Sequence, residues 1–233
     1  FEDDIFNNDV SYTFSDLYLG LHYKLKKGKF TFTPGVTLHN YHLRNSQSGS
    51  SSTQNDWRIH PDLDILYKIK NSENLRFTYS ITSEYSDVND YAESYVFNNY
   101  NRLYRGNREL ENSLSHSYNL SYFSFNLFNY TNVGANLNYT RRIDAVKTDI
   151  SLAGINQVSS PMNFDSNFPD ETFSAMGNFS KRIKRIELKL NAALMYSKTH
   201  NAINEIISAS ESFTQNYTAS LQSHFRQWPN FEA

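Results

Sequence analysis

The sequence predicts an all-β fold: an antiparallel meander of about ten to eleven long strands that crosses a membrane as a β-barrel. Three observations carry this. Apolar and polar residues alternate with period two from end to end, as in strands with one apolar face. The alternating segments run about 11–15 residues, whereas soluble strands usually run about 5–6 and a tilted membrane strand needs roughly 9–11. The connections alternate between short and long, so that one end of the meander carries tight turns and the other carries loops.

Composition agrees. The chain has 233 residues, of which 15% are aromatic, too many for a disordered segment. A net charge of −2 argues against a nucleic-acid partner. No apolar run approaches the ~18 residues of a membrane helix, and a polar lumen face lowers the mean hydropathy of a barrel. With no cysteine, disulfides, thiolate metal sites and Cys nucleophiles are excluded. The 28 Asn and 29 Ser favour turns over helix interiors. A start at Phe1 without a leader suggests either a removed signal or an excerpt from a longer protein.

The elements follow in order. Leu17, Leu19, Leu21, Tyr23 and Leu25 alternate with Asp16, Tyr18, Gly20, His22 and Lys24. Phe30, Phe32, Pro34, Val36 and Leu38 alternate with Thr31, Thr33, Gly35, Thr37 and His39. In 57–69, Trp57, Ile59, Pro61, Leu63, Ile65, Tyr67 and Ile69 oppose Arg58, His60, Asp62, Asp64, Leu66 and Lys68. In 75–85, Leu75, Phe77, Tyr79, Ile81 and Tyr85 oppose Arg76, Thr78, Ser80, Thr82 and Glu84. The segments 186–198 and 213–225 repeat the pattern, 115–127 and 129–143 are weaker, and 172–182 is weakest. Pro34 and Pro61 fall inside strands, where a missing N–H marks a bulge or the end of a pairing.

Short turns are expected at 26–29, 70–74, 126–128, 184–185 and 227–230, and longer polar links at 46–56, 87–114, 145–171 and 205–211. Tyr23, Phe30, Tyr67, Phe77, Phe125, Phe128, Tyr130, Phe179, Phe225 and Trp228 gather near the short-turn ends. Tyr12, Phe14, Tyr41, Trp57 and Tyr85 gather near the other. Two aromatic bands suit a bilayer with two interfaces. A soluble strand-rich barrel or sandwich would explain the alternation but not the asymmetry of the connections.

Gly106-Asn107-Arg108-Glu109-Leu110, followed by Ser113, Ser115, Tyr118, Leu120 and Tyr122, resembles the Gly-Asn-x-x-Leu strand entry of TonB-dependent outer-membrane receptors. Asn138-Tyr139-Thr140-Arg141-Arg142-Ile143-Asp144 and Arg226-Gln227-Trp228-Pro229-Asn230 are also similar to that family, in its Bacteroidetes-type barrel form. Arg108 stands where those receptors usually have Pro. The resemblance implies that residues 1–233 are one segment of a barrel of about 22 strands, in the bacterial outer membrane. It implies ligand uptake, no enzyme activity, and no cofactor. The implied partners are outer-membrane lipid, the remaining strands, a plug domain, the TonB complex acting through that plug, and an extracellular ligand. A half-barrel alone would leave two open edges in lipid. The rival readings are a self-contained channel or porin-like barrel, and an outer-membrane enzyme or adhesin.

Two groups of residues are candidate sites. Arg58, His60, Asp62, Asp64, Arg76 and Glu84 lie on polar faces and are expected in the lumen. Paired carboxylates beside a histidine can serve acid–base chemistry or hold a cation, but lumen charges usually pair across strands. His22, His39 and His224 come from different strands, so spacing gives no metal geometry, and no metal site is expected. The 87–114 link contains Tyr91, Tyr95, Tyr100, Arg102, Tyr104 and Arg105, residue types enriched at binding hot spots, and these are the ligand-contact candidates.

Overall fold

The computed structural model describes residues 8–225, 227 and 229–232, so Trp228 of the expected aromatic band and Arg226 of the quoted motif lie outside the described residues. One fourteen-stranded sheet contains all the strands described. In chain order these are β1 (Val10–His22), β2 (Leu25–Lys27), β3 (Phe30–Gln47), β4 (Ser50–Lys70), β5 (Glu73–Glu84), β6 (Val96–Asn99) and β7 (Arg102–Tyr104). They continue as β8 (Ser113–Asn126), β9 (Thr131–Ile143), β10 (Val146–Ala153), β11 (Asn156–Asn163), β12 (Asp170–Ile183), β13 (Ile186–Ile203) and β14 (Ile206–Ser223). Nine of them, each of 12 or more residues, form the antiparallel meander β1-β3-β4-β5-β8-β9-β12-β13-β14. The eight-residue β10 and β11 bring the long strands to eleven, but they form a hairpin outside the meander. The sheet is open: among the described residues β1 pairs only with β3, and β14 pairs as a strand only with β13.

Both prolines end a pairing. Tyr23 N–H donates to Pro34 O at 3.0 Å, but Pro34 has nothing to return, and the strand breaks at residues 23–24 between β1 and β2. The β4–β5 ladder stops at Asp62↔Ser80, one residue short of Pro61. Two expected loops are in fact strand. Residues 46–56 extend β3 and β4 into a two-residue turn at Ser48-Gly49, with φ of 48° and 74°. Residues 206–211 belong to β14, which leaves β13 through Asn204-Glu205, with φ of 51° and 63°. Paired positive φ values match the right-handed strand twist. Beyond the membrane both faces of these strands are wet, so the polar residues carry no alternation to read.

The register sorts the apolar face into rows. Tyr79, Tyr118, Tyr139, Phe173, Tyr196 and Phe213 stand side by side on β5, β8, β9, β12, β13 and β14. Two residues nearer the long loops stand Ile81, His116, Arg141, Glu171, Lys198 and Glu211. The rows are tied together, with Tyr139 Oη donating to Glu171 Oε1 at 2.6 Å and Tyr79 Oη 3.0 Å from His116 Nδ1, and within the outer row Lys198 pairs with Glu211 at 3.2 Å. An aromatic row capped by charge marks an interface between hydrocarbon and head groups. On β12 the next outward charge is Lys181, ten residues from Glu171. Ten residues at ~3.3 Å, tilted ~45°, span about 23 Å, close to the ~25 Å apolar band of a membrane barrel.

Candidate functional site

The face opposite the apolar rows lines the lumen. Arg58, His60, Asp62 and Asp64 alternate along β4, and Arg76 and Glu84 share their face on β5. Cross-strand contacts tie up the carboxylates of this wall: His39 Nδ1 lies 3.0 Å from Asp16, His22 Nε2 lies 2.9 Å from Asp62, and Arg142 lies 2.9 Å from Glu84. Arg76 pairs with Asp64, and Arg58 with Asp56 on its own strand. His60 is buried, lies 3.2 Å from Ser83 Oγ and stacks near His39, with ring centres 4.6 Å apart. Among the described residues no three His, Asp or Glu side chains converge as a metal site. The charges are spent on one another, which suits a polar wall better than acid–base chemistry.

The connections from β5 to β8 and from β9 to β12 fold back over this wall as a cap. Burial alternates along the end of β3: Tyr41, Leu43, Asn45 and Gln47 are covered, and the residues between them are not. The cover is Tyr91 and Leu110, both 1% exposed, packed with Leu43, Tyr12, Phe14 and Val146. Tyr91 ends a 3-10 turn (Val88–Tyr91) closed by an Asp87/Asp90 capping box. The Gln47 carboxamide grips the loop twice, donating to Tyr91 O at 2.8 Å and accepting from Glu93 N at 3.0 Å.

The Gly-Asn-x-x-Leu stretch holds this cap. Gly106 N–H donates to Ala92 O at 2.7 Å, and a Cβ at Gly106 would run into the backbone of Ala92 and Asp90. Asn107 donates to Pro161 O at 3.2 Å and accepts from Glu109 N at 2.9 Å. Arg108 donates to Ser50 Oγ at 2.5 Å and lies 3.4 Å from Glu93. Asn163, on the second connection, accepts from Glu111 N and donates to Glu111 O, each at 2.8 Å. Parallel pairing of β11 with β7, and of β10 with the tip of β13, completes a small sheet beyond the loop ends of the meander.

The ligand-contact candidates divide. Tyr91 is a core anchor, because the inward fold of its loop hides it, and it is unavailable to a ligand in this conformation. Tyr104 is half-buried and donates to Asp90 Oδ1 at 2.7 Å. Arg105 lies over the Tyr95 ring at 5.8 Å and donates to Glu93 O at 3.0 Å. Arg102 and Tyr100 are exposed, Tyr100 at 94% near the β6–β7 tip. Gln47 and Asn163 give no signal in the sequence, whereas Asn107 stands in the Gly-Asn-x-x-Leu stretch. A lone amide gives no periodic signal to read. Between cap and wall opens a cleft of about 570 Å3, lined by Tyr41, Gln54, Asp56, Arg58, Arg108, Glu109 and Glu111 among others.

Burial pushes the Tyr91 hydroxyl up to about 12, and burial together with Asp90 raises Tyr104. Unfolded tyrosines ionise near pH ~10, so the cap keeps this stabilisation below that pH and loses it as pH rises above it. Protease sensitivity of residues 87–112 should therefore rise between about pH 10 and 12, ahead of loss of the barrel. Simultaneous loss of both would show that the cap has no separate transition.

The outer membrane protein beta-barrel family matches residues 2–233. The chain belongs to that family. Its apolar rows accordingly face the lipid of the outer membrane, and its ion-paired wall faces the lumen. The fold is similar to the FrpB iron transporter from Neisseria meningitidis, with a TM-score of 0.64 at 11% identity over 97% of this chain. The chain spans 33% of that protein's length. A mutant ferric enterobactin receptor from Pseudomonas aeruginosa, solved with enterobactin, gives a TM-score of 0.39 at 8% identity, covering 93% of this chain and 47% of that one. No curated protein sequence matches.

Proposed function

We propose that this outer-membrane chain is the barrel segment of a TonB-dependent receptor, taking a ligand from outside and passing it through the lumen. The observation that carries the proposal is the cap. Two interlocked connections fold inward over the lumen wall and leave a 570 Å3 cleft, an arrangement suited to capture at the mouth rather than to an open pore. The likeness to an iron transporter supports a receptor fold without naming the cargo. In this reading the open edges of β1 and β14 pair with further strands, since unpaired edges are not viable in lipid. The rest of the protein supplies the plug and the TonB contact. The reading contains no catalytic step. Arg102, Tyr100 and the Arg105–Tyr95 pair present groups for ligand contact at the rim.

The test is growth on a scarce nutrient and uptake of solutes from spent medium by cells with and without the full-length gene, each with TonB intact or deleted. Uptake lost equally on removing the gene or TonB supports the receptor. Uptake that persists without TonB, with steady ion conductance of the purified protein in planar bilayers, would assign a passive channel instead.

A further inference from the structure

The outward face of the sheet has two charged margins, and they differ. At the loop end the row His116, Arg141, Glu171, Lys198 and Glu211 interleaves both signs. At the short-turn end the bases dominate. Lys26, Lys27 and Lys29 cluster at the β2–β3 turn, and Lys68 and Lys70 at the β4–β5 turn. Lys181, Arg182, Lys184 and Arg185 cluster at the β12–β13 turn. The acids beside these turns are already engaged. Glu73 accepts from Tyr122 at 2.7 Å and pairs with Lys70 at 3.4 Å. Glu187 pairs with His224 at 3.0 Å and with Lys189 at 3.7 Å. Glu232 bridges to Gln222 on the outer edge of β14.

The β12–β13 tip is flanked on both sides by strands of this chain, β9 and β14. Lys181 points outward in register with Thr131 and Leu188, between Phe179 and Ile183 on its own strand. Lys184 and Arg185 are exposed in the turn, next to Ile183, itself 61% exposed. The adjoining β8–β9 tip adds Leu127, Tyr130 and the 99% exposed Phe128. Arg182 ties the two tips together: its N–H donates to Tyr130 O at 3.1 Å, and its guanidinium lies over the Tyr130 ring at 5.9 Å. Among the described residues the side chains of Lys181, Lys184 and Arg185 have no hydrogen bond or ion pair.

We infer that this tip binds an anionic phospholipid of the phosphatidylglycerol class in the periplasmic leaflet. Short turns of bacterial barrels face the periplasm, so the tip stands at the inner surface of the membrane. Lys181 is the first outward charge below Glu171 on β12, at the lower end of the apolar band. Its stem lies along apolar groups while its ammonium reaches the level of the lipid phosphates. Three unpaired cations beside an apolar rim complement a phosphate and its acyl chains. A zwitterionic head group carries its own cation and gains less from such a site. The inference rests on which face meets lipid and is independent of the uptake reading.

Photo-crosslinking tests it, with p-benzoylphenylalanine placed at Ile183 of the full-length protein and, as a reference, at Leu194. The protein is reconstituted in phosphatidylethanolamine vesicles holding about one-fifth phosphatidylglycerol, and the lipid adducts are weighed by mass spectrometry. Phosphatidylglycerol should form most of the adducts at 183 but only about one-fifth, its share of the vesicle, at 194. Lys181→Gln/Lys184→Gln/Arg185→Gln should return the 183 adducts to the vesicle share. Lys181→Arg should keep the excess, since either base pairs with a phosphate. Heat-modifiable mobility on gels shows whether each variant is folded. Wild-type adducts at 183 that follow the vesicle composition, or an excess retained by the folded triple variant, would overturn the assignment. So would an adduct of polypeptide mass at 183 in whole cells, which would assign the tip to an acidic periplasmic protein.

Discussion

Leu194→Arg should destabilise the membrane-inserted sheet by about 2–4 kcal/mol, while Asn191→Arg, on the opposite face of the same strand, should be mild. Leu194 aligns with Leu137 and Ala175 on the outward face, four residues from the Lys198 row and six from the Lys181 row. An arginine there has neither water nor a carboxylate within its row: the neighbours are Leu120, Leu137, Ala175 and Gln215. Asn191 faces the lumen beside Asn178 and Thr218, where an added charge reaches water. Leu190→Arg, two rows nearer the short turns, should cost less than Leu194→Arg, because the penalty falls toward the interface. Urea unfolding of the full-length protein in lipid vesicles measures all three. Equal tolerance at Leu194 and Asn191 would sink the assignment of the faces.

Leu110→Ala should cost about 2–5 kcal/mol, confined to the cap. Leu110 is 1% exposed and shares a small core with Tyr91 and Leu43, so truncation leaves a void that few neighbours can fill. The sheet beneath is held by its own backbone ladder and does not depend on this core. Protease added to intact cells should therefore cut the variant within residues 87–112, with the strands still protected. Wild-type protection in the variant would mean that the Gln47, Arg108 and Asn163 contacts hold the cap without its core.

The meander was legible because the membrane enforces its pattern. A strand such as β4 keeps Ile59, Leu63 and Ile65 on one face and His60, Asp62 and Asp64 on the other through the hydrocarbon. Above the membrane that constraint ends, and there the reading failed: 46–56 and 205–211 looked like loops yet, apart from two-residue turns, are paired strand. The β10–β11 hairpin was hidden for the same reason. The candidate site was legible only as composition. Tyr and Arg in 87–114 signalled a contact surface, but nothing in the spacing told that Tyr91 turns inward while Tyr100 turns out. That choice depends on Leu43 and Phe14, distant in sequence.

The two free edges carry an arithmetic consequence. β1 runs from its pairing with Gln47 at the loop end down to the short-turn side, and β14 likewise starts at the loop end and finishes on the short-turn side. With nine strands between and including them, the edges point the same way, so joining them directly would be a parallel seam. An all-antiparallel cylinder closes only if an odd number of strands is inserted at that seam, which makes the total even, as in single-chain bacterial barrels. Closure at about 22 would take roughly thirteen more, and a cylinder of that girth has room for a folded stopper inside, where one closed on the fewest additions would not.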